Sequence, residues 1–183
     1  NSVTISDAGS AYYVTSQSLE ISDKQRYITS GAQADMGFTL PACIGVSSAS
    51  ESDVDIIGIT GDGSFQTNIQ ELQTIKHHNY PIKIFVLNNE GYLSIRTTQR
   101  KFFNDRFVGT DEASGISFPE IENIANAYGI KYFSLKNNKE VENDISGVLN
   151  YNGPAICEVM CRKWDKVLPT ISAKKLPDGR MVS

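Results

Sequence analysis

The sequence predicts an α/β fold of three layers, α/β/α, on a mainly parallel sheet of about six strands. Three observations carry this. Short β-branched runs alternate with amphipathic helical stretches along the chain. The strongest of those runs are apolar almost throughout, the pattern of strands covered on both faces. The 183 residues make one domain of ordinary size, and with 40% hydrophobic and 21% charged residues the chain can build a core. A net charge of −4 argues against a dedicated nucleic-acid binder. No stretch approaches the roughly 18 apolar residues of a membrane span, so no membrane partner is expected. No secretory signal pattern is visible, and Cys43, Cys157 and Cys161 form no CxxC pair. A reducing, cytoplasmic setting fits this composition. The start at Asn1, directly before an apolar run, reads as a piece of a longer polypeptide.

Strands are expected at Val3–Ile5, Tyr27–Thr29, Asp55–Thr60, Pro81–Asn88, Lys131–Leu135 and Ala155–Cys161. A helix over Phe38–Ser50 tolerates Pro41 only in its first turn. Thr67-Asn-Ile-Gln70 reads as a capping box opening a helix with Ile69, Leu72 and Ile75 on one face. His77 and His78 close that helix, where the dipole favours them, so they are not read as a catalytic base. Ser117-Phe-Pro-Glu120 reads as a second capping box, with Ile121, Ile124, Ala125 and Tyr128 inward and Gly129 as the stop. Asn138 is expected to cap a helix that turns Val141, Ile145, Val148 and Leu149 inward. Residues 1–160 thus form the domain, and 161–183 an extended tail with a turn at Pro177-Asp-Gly179. The stretch from Glu90 to about Gly115 and the tail lack a packed periodic face, and ligand or further domains are expected to order them.

The informative stretch is Gly61-Asp62-Gly63-Ser64-Phe65, directly after the Asp55–Thr60 run; the next strand ends in Asn88-Asn89. One crossover helix fits between them, so both motifs fall at C-terminal strand ends, where open α/β sheets bind ligands. Asp62 offers a carboxylate, Asn89 an amide oxygen and the Glu90-Gly91 turn a backbone carbonyl. Three such oxygens leave the other octahedral positions of Mg²⁺ for phosphate oxygens and water. Gly61 and Gly63 let the backbone approach, and the N–H groups of Gly63 and Ser64 can point at a phosphate. The pattern therefore suits a metal-bridged diphosphate. A P-loop is excluded by motif, and a dinucleotide fingerprint fails at Gln66. Asp62 is expected at an exposed strand end, without structural partners.

GDGSF followed by NN resembles the cofactor motif of thiamine-diphosphate enzymes of the pyruvate decarboxylase and acetolactate synthase superfamily. The likeness extends to SGAQADMGFTLP at 30–41, similar to SGGLGTMGFGLP of acetolactate synthases, to Gln70-Glu-Leu-Gln-Thr-Ile75, and to Pro154–Val159 as the last strand. It covers essentially the whole chain and points to the diphosphate-binding, C-terminal domain of a three-domain enzyme. The resemblance implies Asp62, Asn89 and the Gly91 carbonyl as metal ligands. It implies Gly61, Gly63 and Ser64 around the diphosphate, with the backbone of Tyr92 and Leu93. Met36 matches the apolar residue beneath the thiazolium ring. The carbonyl of Ala34 matches the acceptor for the 4′-amino group, at a position where family members carry glycine.

The chain also departs from the family. Acetolactate synthases end the following segment in GMVxQW, and here Thr98 stands for the tryptophan. Pyruvate decarboxylases carry a catalytic glutamate where Ile95 stands. Arg96 and Thr98, with Gln99 nearby, are therefore expected to face the substrate and to suit a keto-sugar or other polar acceptor of a two-carbon unit from pyruvate. The glutamate that activates the cofactor's pyrimidine is expected on a missing pyrimidine domain of a partner subunit, so no catalytic residue is assigned within this chain. By the resemblance the full enzyme is a decarboxylase or carboligase, a homodimer or homotetramer acting on a 2-oxo acid, and any FAD would belong to the missing middle domain. The alternative is a non-catalytic nucleotide-binding domain or remnant.

Overall fold

A computed structural model describes residues 1–50, 54–139, 141–169 and 174–182. Its centre is a six-stranded sheet in the order β2-β1-β3-β4-β6-β5. The strands are β1 (Ser2–Ser6), β2 (Gln25–Thr29), β3 (Asp55–Gly61), β4 (Lys83–Asn88), β5 (Lys131–Leu135) and β6 (Ala155–Met160), and every pairing is parallel. The helices are α1 (Gly9–Ser18), α2 (Thr39–Ala49), α3 (Asp62–Thr67), α4 (Glu71–His78), α5 (Leu93–Phe102), α6 (Ile121–Ala127) and α7 (Val141–Leu149). In the tail, β7 (Lys174–Lys175) and β8 (Met181–Val182) form an antiparallel pair across the expected turn.

Apolar strands explain the core. Ile5, Ile56, Ile84, Val86 and Ile156 are buried in one cluster with Leu40 and Cys43 of α2 and with Leu72 and Ile75 of α4. A smaller cluster joins Leu135, Val148, Ala155 and Cys157. Cys43 and Cys157 are free thiols inside these clusters, and burial pushes the Cys157 thiol up to about 12. The helix α2 sits tightly on β3: a Cβ at Gly58 would stand 2.8 Å from Thr39 Cγ2 and 2.9 Å from Cys43 Sγ. Meanwhile the Thr39 hydroxyl donates to the Ile59 carbonyl.

Several expectations are corrected. Thr67 does not cap α4; it ends α3, which leaves β3 without a loop, and α4 begins at Glu71 with no side-chain cap. The tie that overrides the local signal is tertiary: Asn68 Nδ2 donates to the Gly37 carbonyl at 2.9 Å. The Ser117 capping box is likewise absent, since Glu120 precedes α6 and makes no side-chain cap bond. The start of α7 adjoins residue 140, so the expected Asn138 cap falls partly outside the described residues; Leu149 of that helix points outward. The stretch from Glu90 to Gly115 is folded. It forms α5 and a 3₁₀ turn at Glu112–Ser114, where Asp111 and Ser114 cap each other.

The closeness of α2 and β3 gives a test. Gly58→Ala should destabilise the chain by about 1–3 kcal/mol through overpacking. Adding Thr39→Ser removes the nearest methyl and keeps the hydroxyl bond, so the double variant should regain part of the loss in urea unfolding.

Candidate functional site

The C-terminal ends of β1, β3 and β4 meet at a cleft of about 250 Å³. Its walls include Met36, Gly61, Asp62, Gly63, Ser64, Asn89, Gly91, Tyr92 and Leu93. Nine of the sequence-predicted site residues are thus brought together. Ala34 is not among the cleft walls, although Met36 from the same loop is, with nearly half its surface open. Ala34 holds a left-handed φ of +53°, a conformation that glycine takes at least cost.

Asp62 departs most from expectation. It is 5% exposed, not an open strand-end carboxylate. Its Oδ1 accepts from the Gly63 N–H at 2.7 Å, and its Oδ2 from the N–H groups of Gly91 at 2.9 Å and Asn89 at 3.2 Å. The Gly63 amide is therefore held by Asp62, and the role of Gly63 is steric: a Cβ there would stand 2.1 Å from the Tyr92 ring. At Gly61 an added Cβ meets nothing within 4 Å, so that glycine leaves open space. Burial raises the Asp62 carboxyl above its usual range, and the three amides and Arg96 only partly offset this.

Ser64 has a structural partner set as well. Its hydroxyl donates to Asp7 Oδ2 at 2.7 Å and accepts from the Gly37 N–H at 2.7 Å. Asp7 is fully buried at the end of β1 and also accepts from the Thr60 hydroxyl and the Ala8 N–H. Sequence reasoning missed Asp7 and the segment that follows it. Ala8, Gly9, Ser10 and Ala11 line the cleft at the N-terminus of α1, and Ala8 provides no side-chain cap. The first turn of a ten-residue helix thus lines the cavity, and a helix N-terminus suits an anion. The available signal was a strand followed by Asp-x-Gly, the same strand-end logic applied to GDG.

Arg96 and Thr98 do not face the cleft. Arg96 is fully buried and donates to backbone carbonyls of Asn89, Glu90 and Lys163. Thr98 is exposed on α5 and donates to the Ser94 carbonyl. The residues of α5 that do reach the cleft are Leu93, Ser94 and Ile95.

Asn89 supplies the observation that bears on a metal. It is buried, and its Oδ1 has no hydrogen-bond partner among the described residues. An orphaned buried acceptor costs about 1–3 kcal/mol. Here it stands on the wall that also carries Asp62 and Gly91. A carboxylate, an amide oxygen and a carbonyl, all hard oxygens, fit Mg²⁺.

The profile described as "Thiamine pyrophosphate enzyme, C-terminal TPP binding domain" matches residues 7–159. The chain belongs to this family. Acetolactate synthase large subunits are among its relatives. The one from Pyropia yezoensis is 30% identical over 96% of this chain and 29% of its own length. That from Cyanidium caldarium is 32% identical over 92% of this chain and 28% of its own. The isozyme 2 large subunit of Escherichia coli is 31% identical over 92% of this chain and 30% of its own. The chain therefore spans less than a third of these relatives and is a thiamine-diphosphate-binding, C-terminal domain of the acetolactate synthase-like kind.

Asp62→Ala should cost more than an exposed carboxylate would. Three N–H groups lose their acceptor, and a loss of about 1–3 kcal/mol or more in denaturant unfolding is expected. Asp62→Asn retains oxygen and shape, and should be the milder change. Equal stability of Asp62→Ala and the unmodified chain would contradict the hydrogen-bond geometry.

Proposed function

We propose that this chain holds the diphosphate and metal in a Mg²⁺- and thiamine-diphosphate-dependent 2-oxo acid decarboxylase or carboligase, a lyase or transferase related to acetolactate synthase. The observation that carries the metal half is the buried Asn89 Oδ1, unpartnered among the described residues, beside Asp62 and Gly91. In this reading the Asp62 carboxylate, Asn89 Oδ1 and the Gly91 carbonyl hold Mg²⁺. Bound thiamine diphosphate supplies a carbon nucleophile for the 2-oxo carbonyl and an acceptor for the electron pair left by CO₂.

The residues of this chain bind and orient. The amides at the start of α1 and the open backbone at Gly61 receive the diphosphate. Met36, Leu93 and Ile95 form an apolar wall that excludes water from the ring end. Ile95 on that wall carries no proton donor, and the polar side chain that α5 brings to the cleft is the Ser94 hydroxyl. The proton-transfer glutamate is assigned to a pyrimidine domain outside these residues, in a homodimer or homotetramer working in the cytoplasm, with any FAD on a middle domain. The keto-sugar or other polar acceptor rested on Arg96 and Thr98, which lie outside the cleft, so it is not retained.

Calorimetric titration of the chain with thiamine diphosphate tests this. Binding is expected with Mg²⁺ and not without it, and ADP should compete poorly. Preference for ADP would favour a nucleotide-binding module instead. The chain alone should release no CO₂ from pyruvate in a coupled assay, because it carries half of the site. Turnover by the purified chain would place the activating group within it.

A further inference from the structure

The loop that carries two of the three proposed metal ligands is gripped from the side away from the cleft. Arg96 reaches it from the first turns of α5. Its Nη2 donates to the Asn89 carbonyl at 2.9 Å, and its Nη1 donates to the Glu90 carbonyl at 2.8 Å. The same guanidinium extends to the tail, where Nη2 donates to the Lys163 carbonyl at 2.7 Å. It also makes a long contact of 3.4 Å to the Thr110 carbonyl. One planar fork thus joins the ligand loop, the loop before the 3₁₀ turn, and the tail.

The surroundings hold the fork in place. Trp164 lies over the Arg96 guanidinium at 5.2 Å and over Arg100 at 3.7 Å. Lys163 Nζ pairs with Asp111 at 3.0 Å, which pins the tail beside Thr110. Space is short on the loop: a Cβ at Gly91 would stand 2.1 Å from the Thr110 carbonyl oxygen and 2.7 Å from Arg96 Nη1. Glu90 holds φ at +59° and Gly91 at +131°. Non-glycine residues seldom take the first of these values, so the fork bonds stabilise a turn the chain would otherwise leave.

We infer that Arg96, capped by Trp164 of the tail, is a positioning residue for the metal: by binding the Asn89 and Glu90 carbonyls it fixes the loop that presents Asn89 Oδ1 and the Gly91 carbonyl, the latter also accepting from the Leu93 N–H at 3.1 Å. The inference rests on the metal reading above. It makes the Arg96 fork, rather than its charge alone, the determinant of Mg²⁺ affinity. Lysine keeps the charge but has no planar fork to join these carbonyls.

Two variants test it, Arg96→Lys and Trp164→Leu, the second on a partly exposed ring that the core does not need. Two readouts are taken on the full chain: Mg²⁺ affinity at saturating thiamine diphosphate, and amide exchange of residues 89–93 with neither ligand added. Arg96→Lys should weaken Mg²⁺ binding by about 10-fold or more, as loss of a group that orients metal ligands does. Thiamine diphosphate affinity at saturating Mg²⁺ should be unchanged. Exchange should quicken at 89–93 and stay unchanged within β4. Trp164→Leu should give a smaller loss of the same sign, and it carries the test if Arg96→Lys does not fold. Unchanged Mg²⁺ affinity in the variants, beside metal-dependent binding by the unmodified chain, overturns the inference and spares the function. Faster exchange throughout β4 as well overturns it in favour of general destabilisation. Absence of Mg²⁺-dependent binding in the unmodified chain overturns both.

Discussion

The cleft depends on one buried carboxylate. Asp62 sits where β3 passes into α3 and accepts one N–H from its own turn and two from the loop after β4. Parallel strands have no hairpin joining their ends, and the β3–β4 ladder stops at Gly61 and Leu87, so beyond it the two loops are tied by side chains. Asp62 is that tie between β3 and β4. The tie is costly, because burial penalises the charge and the amides return only part of the loss. A cation in the cleft would return more. The structural role of this carboxylate and the metal-binding role proposed for it would therefore be one electrostatic arrangement, with Asn89 Oδ1, unpartnered among the described residues, at its open end.

Asp7 repeats the device one strand away. It closes β1 onto β3 through the Thr60 and Ser64 hydroxyls, and Ser64 passes the link to the Gly37 amide before α2. Two buried aspartates thus assemble the loops after β1, β2, β3 and β4 around one cavity. Small residues follow from this crowding. Gly63 faces the Tyr92 ring, and Gly37 lies against Thr67, where a Cβ would stand at 2.8 Å.

The sheet was legible because its strands announce themselves as apolar runs, and the parallel order follows from the helices between them. Motif spacing likewise placed Asp62 and Asn89 at neighbouring strand ends. What the sequence concealed has a common cause. The inward face of α5 is formed by Leu93 and Arg96, and a charged residue breaks the apolar period that marks a buried helix. Arg96 therefore read as a substrate contact although its partners are backbone carbonyls, those of the preceding loop and that of Lys163 in the tail. Asp62 read as exposed for the same reason, since its acceptors' partners lie 27 and 29 residues further on. Thr67 carried a valid local capping signal, and a contact from Gly37 decided otherwise.

The loop after β4 gathers these constraints. From one side Arg96 takes the carbonyls of Asn89 and Glu90. From the other, Asp62 takes the amides of Asn89 and Gly91, and Asn88 Oδ1 takes the amide of Glu90. Asn88 is held in turn, since its Nδ2 donates to the buried Glu158, which also accepts from the Tyr132 hydroxyl on the edge strand β5. Each bond alone is worth about 1 kcal/mol. Their number leaves the loop one arrangement in which every main-chain group from Asn89 to the Gly91 amide is spent. A polar group left without a partner in such a loop cannot turn away to find one. That is the condition for a preorganised ligand: if Asn89 holds the proposed cation, the cost of orienting its amide is met by folding beforehand.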